Sequence, residues 1–285
     1  MLVVDDLAAF TPPPGGSAVT VGAYDGVHIG HQRLIARLRE VAGQRGLATA
    51  VVTFDKHPAL VVRPQSAPKL LTDLGTRLDR LAEAGVDYTL VIPFDRERSI
   101  EPAEHFVRTV LVGKLDARVV AVGRDFHFGH NREGNVAFLE RLGPSLGFEV
   151  IPVDLVDEAD GGDGKVSSTR VRTALAEGDV IGAAALLGRP HCVRGVVARE
   201  IGGRVALDVP DEICLPAEGL YAGWFCGAGG RTPAAVRVGA GRVVEAKLVD
   251  GAAPTADEVA AVAFGAPLAG EGGEAVLAAL RAVGE

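Results

Sequence analysis

A strand, a turn and a helix follow one another near the start of the chain, and this pattern restricts the fold most strongly. Residues 18–21 form a short apolar run rich in β-branched side chains, which is typical of a buried strand. Apolar residues then recur at helical spacing over residues 34–42. His28 and His31 lie where the strand pattern ends and the helix pattern begins. We therefore expect both imidazoles at a strand-to-helix corner.

This corner has the properties of an anion site. The N–H groups of a helix's first turn and the helix dipole favour negative charge. Gly22 and Gly26 mark the turn, and Gly30 lets a ligand approach the backbone. Two imidazoles three positions apart can both donate to one phosphate, and one such donor contributes roughly 10²–10³ in rate in other enzymes. A structural histidine pair or half of a metal site remains an alternative interpretation.

The following segments alternate between strand and helix patterns. Strands are predicted at residues 47–54, 88–92, 118–123 and 149–153, and helices at 76–84, 102–112 and from about 167. Such alternation predicts an α/β fold with a parallel sheet covered on both faces. Ligands of these sheets bind beyond the carboxyl ends of the strands.

The residues that follow each predicted strand are therefore candidate ligand contacts. Asp25 follows the first strand, His57 and Pro58 the second, and Asp125 the fourth. After the fifth strand and a polar loop comes the segment 165–172.

That last segment has the features of a second anion site. Ser168 and Thr169 supply hydroxyl groups at the start of a helix, and Arg172 supplies a fixed positive charge. Two such corners at one edge of a sheet would suit a triphosphate stretched between them. Simple helix capping by Ser167 and Ser168 is the alternative.

Composition narrows the classes of partner and location. A chain of 285 residues is long enough for two domains. Its net charge of −8 argues against nucleic acid as the main partner. No apolar run approaches the ~18 residues that span a bilayer, and the first residues do not resemble a signal peptide. Three cysteines without Cys-x-x-Cys spacing favour a reducing, cytoplasmic location.

Four motifs in chain order resemble those of the bacterial FAD synthetases, the bifunctional riboflavin kinase/FMN adenylyltransferases of the nucleotidyltransferase superfamily. The superfamily is marked by His-x-Gly-His, which here is His28-Ile29-Gly30-His31. The matching segments are residues 22–32, 53–58, 123–129 and 167–172, followed by the joining segment 187–190. The resemblance spans about residues 17–200.

The resemblance implies a Rossmann-like nucleotidyltransferase domain over residues 1–187 and a smaller riboflavin kinase-like β-barrel over 188–285. The implied reaction is attack of the FMN phosphate on the α-phosphorus of ATP, which gives FAD and pyrophosphate with Mg²⁺ present. ATP and FMN are small-molecule substrates, and neither nucleic acid nor a membrane is an expected partner. We make no prediction of the oligomeric state.

The resemblance also implies roles for single residues. The expected catalytic residues are His28, His31 and Arg172, and no metal ligand is expected in the chain. His57, Pro58 and Asp125 would line the flavin side. The expected ATP-binding residues are Gly22, Asp25, His28, His31, Ser168, Thr169 and Arg172.

The second module departs from the family pattern. The kinase signature Gly-x-Pro-Thr-Ala-Asn should follow a Gly-Arg pair, but Gly203-Arg204 is followed by Val-Ala-Leu-Asp-Val-Pro-Asp. Glu245 does match the position of the kinase's catalytic base. We expect a β-barrel with weak or lost riboflavin kinase activity. Strands are predicted at residues 193–199, 205–209, 220–225, 234–238 and 243–249, with a terminal amphipathic helix at 274–283.

Four other functions are alternatives to this interpretation. A zinc enzyme would use His28, His31, His127 and His130. A class I aminoacyl-tRNA synthetase shares the histidine signature, but this chain is short and acidic for a tRNA partner. A related nucleotidyltransferase would act on another phosphorylated substrate or a flavin analogue. A non-catalytic flavin-binding protein would have no need of all five phosphate-site residues.

Overall fold

The computed structural model describes residues 1–154, 166–201, 203–250 and 256–284. Contacts divide the chain into two compact units. The first contains Met1–Pro68 and Leu74–Val166, and the second contains Lys69–Asp73 and Ser167–Glu285. The boundary that we predict after residue 187 separates an adenylyltransferase domain from a kinase-like domain. That boundary stays a prediction.

Six parallel strands form one sheet in the first unit, and a short antiparallel pair accompanies them. The strands of this unit are β1 (Leu2–Val4), β2 (Ser17–Val21), β3 (Ala48–Phe54), β4 (Tyr88–Ile92), β5 (Ala117–Gly123), β6 (His127–Phe128), β7 (Gly134–Asn135) and β8 (Glu149–Val153). The sheet order is β1-β4-β3-β2-β5-β8, and β6 pairs with β7. The predicted parallel α/β sheet is confirmed.

Helices connect these strands. They are α1 (Ile29–Arg45), α2 (Pro58–Val62), α3 (Leu74–Glu83), α4 (Arg96–Ser99), α5 (Ala103–Phe106) and α6 (Val136–Leu146), with 3-10 turns at Pro64–Ser66 and His130–Arg132. A π-helical segment, Val107–Val112, continues α5. The predicted helix over 102–112 is therefore present, but its second half has wider turns.

Both faces of the sheet are covered, as predicted. Alternate residues of β2 point to opposite faces: Val19 joins the core under α5 and α6, whereas Ala18 packs with Leu34 and Leu38 of α1. Leu81 of α3 packs on the same face of the sheet as α1. This arrangement leaves the carboxyl ends of the strands and their connecting loops as the place for a ligand.

The second unit combines a helix pair, a closed antiparallel barrel and a terminal helix. Its elements are α7 (Ser168–Ala176), α8 (Val180–Leu187), β9 (His191–Ile201), β10 (Arg204–Asp208), β11 (Gly219–Gly227), β12 (Gly230–Gly239), β13 (Val243–Leu248), β14 (Val259–Pro267) and α9 (Gly273–Ala282), with a 3-10 turn at Ala240–Arg242. The barrel closes in the order β10-β13-β12-β11-β14-β9. The five predicted strands and the terminal helix are confirmed, and β14 is a sixth strand that we did not predict.

A short segment from early in the chain packs in the second unit. The Leu70 N–H donates to the Glu212 carbonyl at 2.6 Å, and the Cys214 N–H donates to the Leu70 carbonyl at 2.7 Å. Leu71 is fully buried among the barrel and α7–α8 side chains. No local sequence pattern predicts this pairing, because the partners of Leu70 lie far along the chain.

Candidate active site

The strand order reverses between β2 and β5. From the central strand β2 the chain builds outward through β3 and β4, and it then crosses back to add β5 and β8 on the other side. In open α/β sheets the crevice at such a reversal is the usual ligand site. The loops that follow β2 and β5 are therefore the main candidates to surround a ligand.

The turn after β2 has an unusual backbone. All five residues of β2 are buried, and the Gly22 N–H still bonds to Val52 of the neighbouring strand at 3.0 Å. The chain then passes through positive φ at Tyr24 (50°), Gly26 (80°) and Val27 (40°). A β-branched residue such as Val27 rarely adopts this conformation, so surrounding contacts must hold the turn.

His28 and His31 are brought together at the start of α1. His28 is the N-cap residue, and its Nδ1 accepts from the His31 N–H at 3.4 Å. The two rings stack with centroids 3.6 Å apart and planes 16° apart. The ring of Tyr24 lies 4.8 Å from that of His31. The predicted strand-to-helix corner therefore exists, with Gly22 and the buried Asp25 in the same turn.

Burial controls the charge at this corner. Burial first, and the neighbouring His28 second, lower the pKa of His31 well below its ordinary value, so its imidazole is neutral at neutral pH. Its Nδ1 is buried and, within the described residues, has no hydrogen-bond partner. Burial also raises the pKa of Tyr24, whose hydroxyl pairs with Thr20 Oγ1 at 2.7 Å. The corner thus offers two imidazole groups to a ligand, and that of His31 is neutral with an open nitrogen.

His57 and Pro58 lie at the end of the next strand, β3. His57 is the N-cap of α2 and accepts from the Ala59 N–H at 3.1 Å, while Pro58 begins the helix. Asp55 stabilises the same loop, because its Oδ1 accepts from the N–H groups of Lys56 and Phe94, both at 2.7 Å. His57 and Pro58 are half-buried and lie at the carboxyl end of the sheet, where we expected them.

Asp125 lies beyond β5, on the other side of the reversal point. Its side chain is exposed, and its carbonyl is 2.8 Å from Nδ1 of His127. The rings of Phe126 and Phe128 stack nearby at 5.3 Å. The loop that follows β5 is therefore an aromatic loop at the sheet edge.

The second predicted anion corner belongs to the second unit. Ser167 caps α7 by accepting from the Arg170 N–H at 3.3 Å, as the capping alternative expected. Ser168 is half-buried and Thr169 is exposed in the first helical turn. Nε of Arg172 donates to the Lys69 carbonyl at 2.6 Å. Lys165 lies outside the described residues.

Sequence reasoning missed Arg77 of α3. Its side chain is only 5% exposed, and its guanidinium donates to the carbonyls of Ala23 and Phe54, each at 2.7 Å. It thereby joins the turn after β2 to the end of β3. A signal was present, since Arg77 lies one turn before the buried Leu81 on the same helical face.

Glu245, the predicted kinase-module residue, lies on β13 of the barrel. Arg237 of the adjacent strand donates to its Oε2 from Nη2 at 2.9 Å and from Nε at 3.1 Å. The preceding Gly203-Arg204 pair opens directly into β10. The carboxylate is therefore held by a neighbouring cation on the barrel wall.

The part of the chain that the structure describes holds no group of three or more His, Cys, Asp or Glu side chains arranged to bind a metal ion. His127 and His130 are both exposed. Across the same residues, no helix is long and apolar enough to pass through a bilayer.

Comparisons with known proteins agree with these observations. The family model described as FAD synthetase matches residues 11–170. A bifunctional riboflavin kinase/FMN adenylyltransferase of Escherichia coli (strain K12) is 35% identical over 223 residues, which cover 76% of this chain and 70% of that protein. The protein of the same name from Pseudomonas fluorescens is 39% identical over 228 residues, covering 78% of this chain and 72% of the relative.

A solved structure supports the fold over most of the chain. The crystal structure of a protein named macrolide-efflux protein, from Streptococcus pneumoniae, has a TM-score of 0.81 and 25% identity, and the match covers 94% of this chain and 91% of that one. The family model covers the histidine corner and the motifs at residues 53–58 and 123–129. The chain belongs to the FAD synthetase family.

Proposed function

We propose that this protein transfers the adenylyl group of ATP to FMN, giving FAD and pyrophosphate. The observation that carries the proposal is the stacked pair His28 and His31 at the start of α1, beside the reversal point of a parallel sheet. Helix N-termini with donor side chains suit a phosphate, and membership of the FAD synthetase family supplies the identity of the substrates.

In the proposed reaction a phosphate oxygen of FMN attacks the α-phosphorus of ATP. The new P–O bond forms as the bond between the α-phosphorus and the bridging oxygen breaks, and pyrophosphate leaves with that oxygen. FMN brings its own nucleophile, so no side chain forms a covalent intermediate. The imidazoles of His28 and His31 donate hydrogen bonds to the α-phosphate oxygens, where charge increases in the transition state.

We assign the other predicted residues to the two ends of the substrates. Gly22 and Asp25 lie in the turn that would meet ATP. Ser168, Thr169 and Arg172 would hold the β- and γ-phosphates, on the strength of the matching motif. His57, Pro58 and Asp125 would contact the flavin, since they follow β3 and β5 at the carboxyl edge of the sheet.

Mg²⁺ would neutralise part of the triphosphate charge. We propose that the ion enters bound to ATP, since Mg²⁺ is usually held by substrate phosphates together with one or two carboxylates. We also propose a cytoplasmic location, as the cysteine pattern predicts.

We further propose that riboflavin kinase activity is weak or lost. The Thr and Asn of the kinase signature are missing after Gly203-Arg204, where the chain enters a regular strand. The carboxylate of Glu245, the expected base, already accepts two hydrogen bonds from Arg237.

A product assay tests both proposals. With ATP and FMN we expect FAD and pyrophosphate, measured by chromatography of the flavins. With ATP and riboflavin in place of FMN we expect almost no FMN or FAD, because the module lacks its nucleotide ligands. The E. coli relative serves as the control. No FAD from FMN would refute the first proposal, and ready FMN formation from riboflavin would refute the second.

A further inference from the structure

Arg77 is a buried cation whose hydrogen bonds join two loops at the carboxyl edge of the sheet. Nη1 donates to the Ala23 carbonyl at 2.7 Å, and Nη2 donates to the Phe54 carbonyl at 2.7 Å. Nη1 also lies 3.4 Å from Oγ1 of Thr53, which itself donates to the Ala23 carbonyl at 3.3 Å. One planar group therefore links the turn after β2 to the end of β3.

The loop on the β2 side is the one that needs support. Tyr24 and Val27 have positive φ, and such conformations cost of order 1–3 kcal/mol each unless the surroundings impose them. Arg77 binds the carbonyl immediately before Tyr24. Leu81, one helical turn further along α3, packs against Tyr24 and Val27 in the same buried cluster. A polar and an apolar contact from α3 therefore hold the same strained turn.

The loop on the β3 side leads to the other proposed half of the site. Phe54 ends β3, and the chain continues through Asp55 to His57 and Pro58. The turn after β2 leads just as directly to His28, the cap of α1. The distance between the two loops thus depends on the side chain that joins them.

We propose that Arg77 is a positioning residue for adenylyl transfer, which fixes the histidine corner relative to the loop of His57 and Pro58. This inference rests on the proposed function. An arginine suits the role because its planar fork reaches several carbonyls at once, whereas the ammonium of lysine donates from a single point. The bonds go to main-chain carbonyls, so they set loop position directly.

The test compares Arg77→Met and Arg77→Lys with the wild-type protein, well below the melting temperature of each. A misplacement of about 1 Å costs on the order of 10²-fold in rate, so we expect kcat for FAD formation to fall about 10²-fold in Arg77→Met. The KM values for ATP and FMN should change by less than about threefold, since ground-state contacts remain. Arg77→Lys should recover part of the lost kcat.

Arg80→Met is the matched control. Arg80 lies on the same helix but pairs with Glu83 at 2.7 Å, and this pair is partly exposed. We expect its removal to leave kcat within about twofold of wild type, because such pairs contribute little. Thr53→Val removes the hydroxyl that lies between the Arg77 guanidinium and the Ala23 carbonyl. This variant should lower kcat less than Arg77→Met does.

A second measurement needs no turnover. The imidazole ¹⁵N resonances of His28 and His31 should shift in Arg77→Met and stay in place in Arg80→Met. If the wild type made no FAD, the proposed function would fail while this measurement still tested the coupling. A folded Arg77→Met with wild-type kcat and unshifted imidazole resonances would overturn the inference. If Arg77→Met does not fold, Arg77→Lys decides: a lower kcat at unchanged KM supports the inference, and wild-type kcat refutes it.

Discussion

Each unit of the molecule contains a buried histidine whose pKa is lowered, His31 in the first and His191 in the second. The two differ in the hydrogen bonds of their ring nitrogens. Burial lowers the pKa of His191 on β9 to about 4 and that of His31 well below its ordinary value. Nε2 of His191 bonds to the Cys214 carbonyl at 2.9 Å, and its ring stacks on Phe264. Nδ1 of His31 has no such partner among the described residues.

The difference separates a core histidine from a candidate catalytic one. Buried polar groups are nearly always hydrogen-bonded, so an unsatisfied nitrogen calls for an explanation. His191 has a bonded, packed environment inside the barrel and needs no ligand. His31 lies beside the strained turn of Tyr24 and Val27, where a phosphate oxygen would complete its hydrogen bonding.

The largest expected effect is on the histidine corner. His28→Ala and His31→Ala should each lower kcat for adenylyl transfer by roughly 10²–10³, since each removes a donor to the developing charge. The melting temperature should change little for His31→Ala. Loss of the His28 cap should cost about 1 kcal/mol. Steady-state kinetics and thermal denaturation measure the two quantities.

His127→Ala is the control for these variants, because His127 is exposed and outside the proposed phosphate contacts. Its kcat should match that of the wild type. Normal turnover in His31→Ala would show that the open nitrogen has no catalytic meaning. A large loss of bound zinc in His127→Ala would favour the metal-enzyme alternative.

His191 should produce a pH-dependent loss of stability instead. Its folded-state pKa of about 4 lies below the ordinary value of 6.5, so the unfolded chain binds its proton first as the pH falls. The free energy of unfolding should therefore decline from about pH 6.5 down to about pH 4, by roughly 3 kcal/mol in total. Urea denaturation at a series of pH values measures this decline.

His191→Gln removes the titrating group, so its stability curve should be flatter than the wild-type curve across that pH range. Parallel curves for the two proteins would mean that His191 is not responsible. His127→Ala again serves as the control, because the side chain of His127 is exposed.

The smallest expected effect concerns Glu245. Its pair with Arg237 lies on the barrel wall, where Arg237 is half exposed. Glu245→Gln should change the free energy of unfolding by no more than about 1 kcal/mol and leave FAD formation from FMN unaltered. Chemical denaturation and the flavin product assay measure these results. A large drop in FAD formation would mean that the barrel takes part in adenylyl transfer.

Much of the fold could be predicted because its signals are local. The strand patterns at residues 88–92 and 149–153 coincide with β4 and β8, and the tail helix differs from α9 by one residue at each end. Short strands and non-local pairings escaped prediction. β1 is only three residues long, and Leu70 contributes to the second unit through partners more than a hundred positions away.

The candidate active site likewise has one part that local sequence patterns predict and another part that they do not. The histidine corner could be predicted from a strand pattern, glycines and helical spacing. The sequence could not indicate that Ala23 and Phe54 share the guanidinium of Arg77, because α3 reaches them only in the folded sheet. Nor could it predict β14, whose Ala-rich run acquires meaning from pairing with β9 and β11.

Periodicity and turn residues act over a few neighbouring positions, so the amino-acid order alone predicts the alternation of strands and helices, the histidine corner and the family motifs. Three other features are visible only in the folded chain: His31 is neutral with an open nitrogen, Arg77 joins two loops, and the barrel closes through β14. Burial and long-range hydrogen bonds depend on atoms that the chain brings together only when it folds.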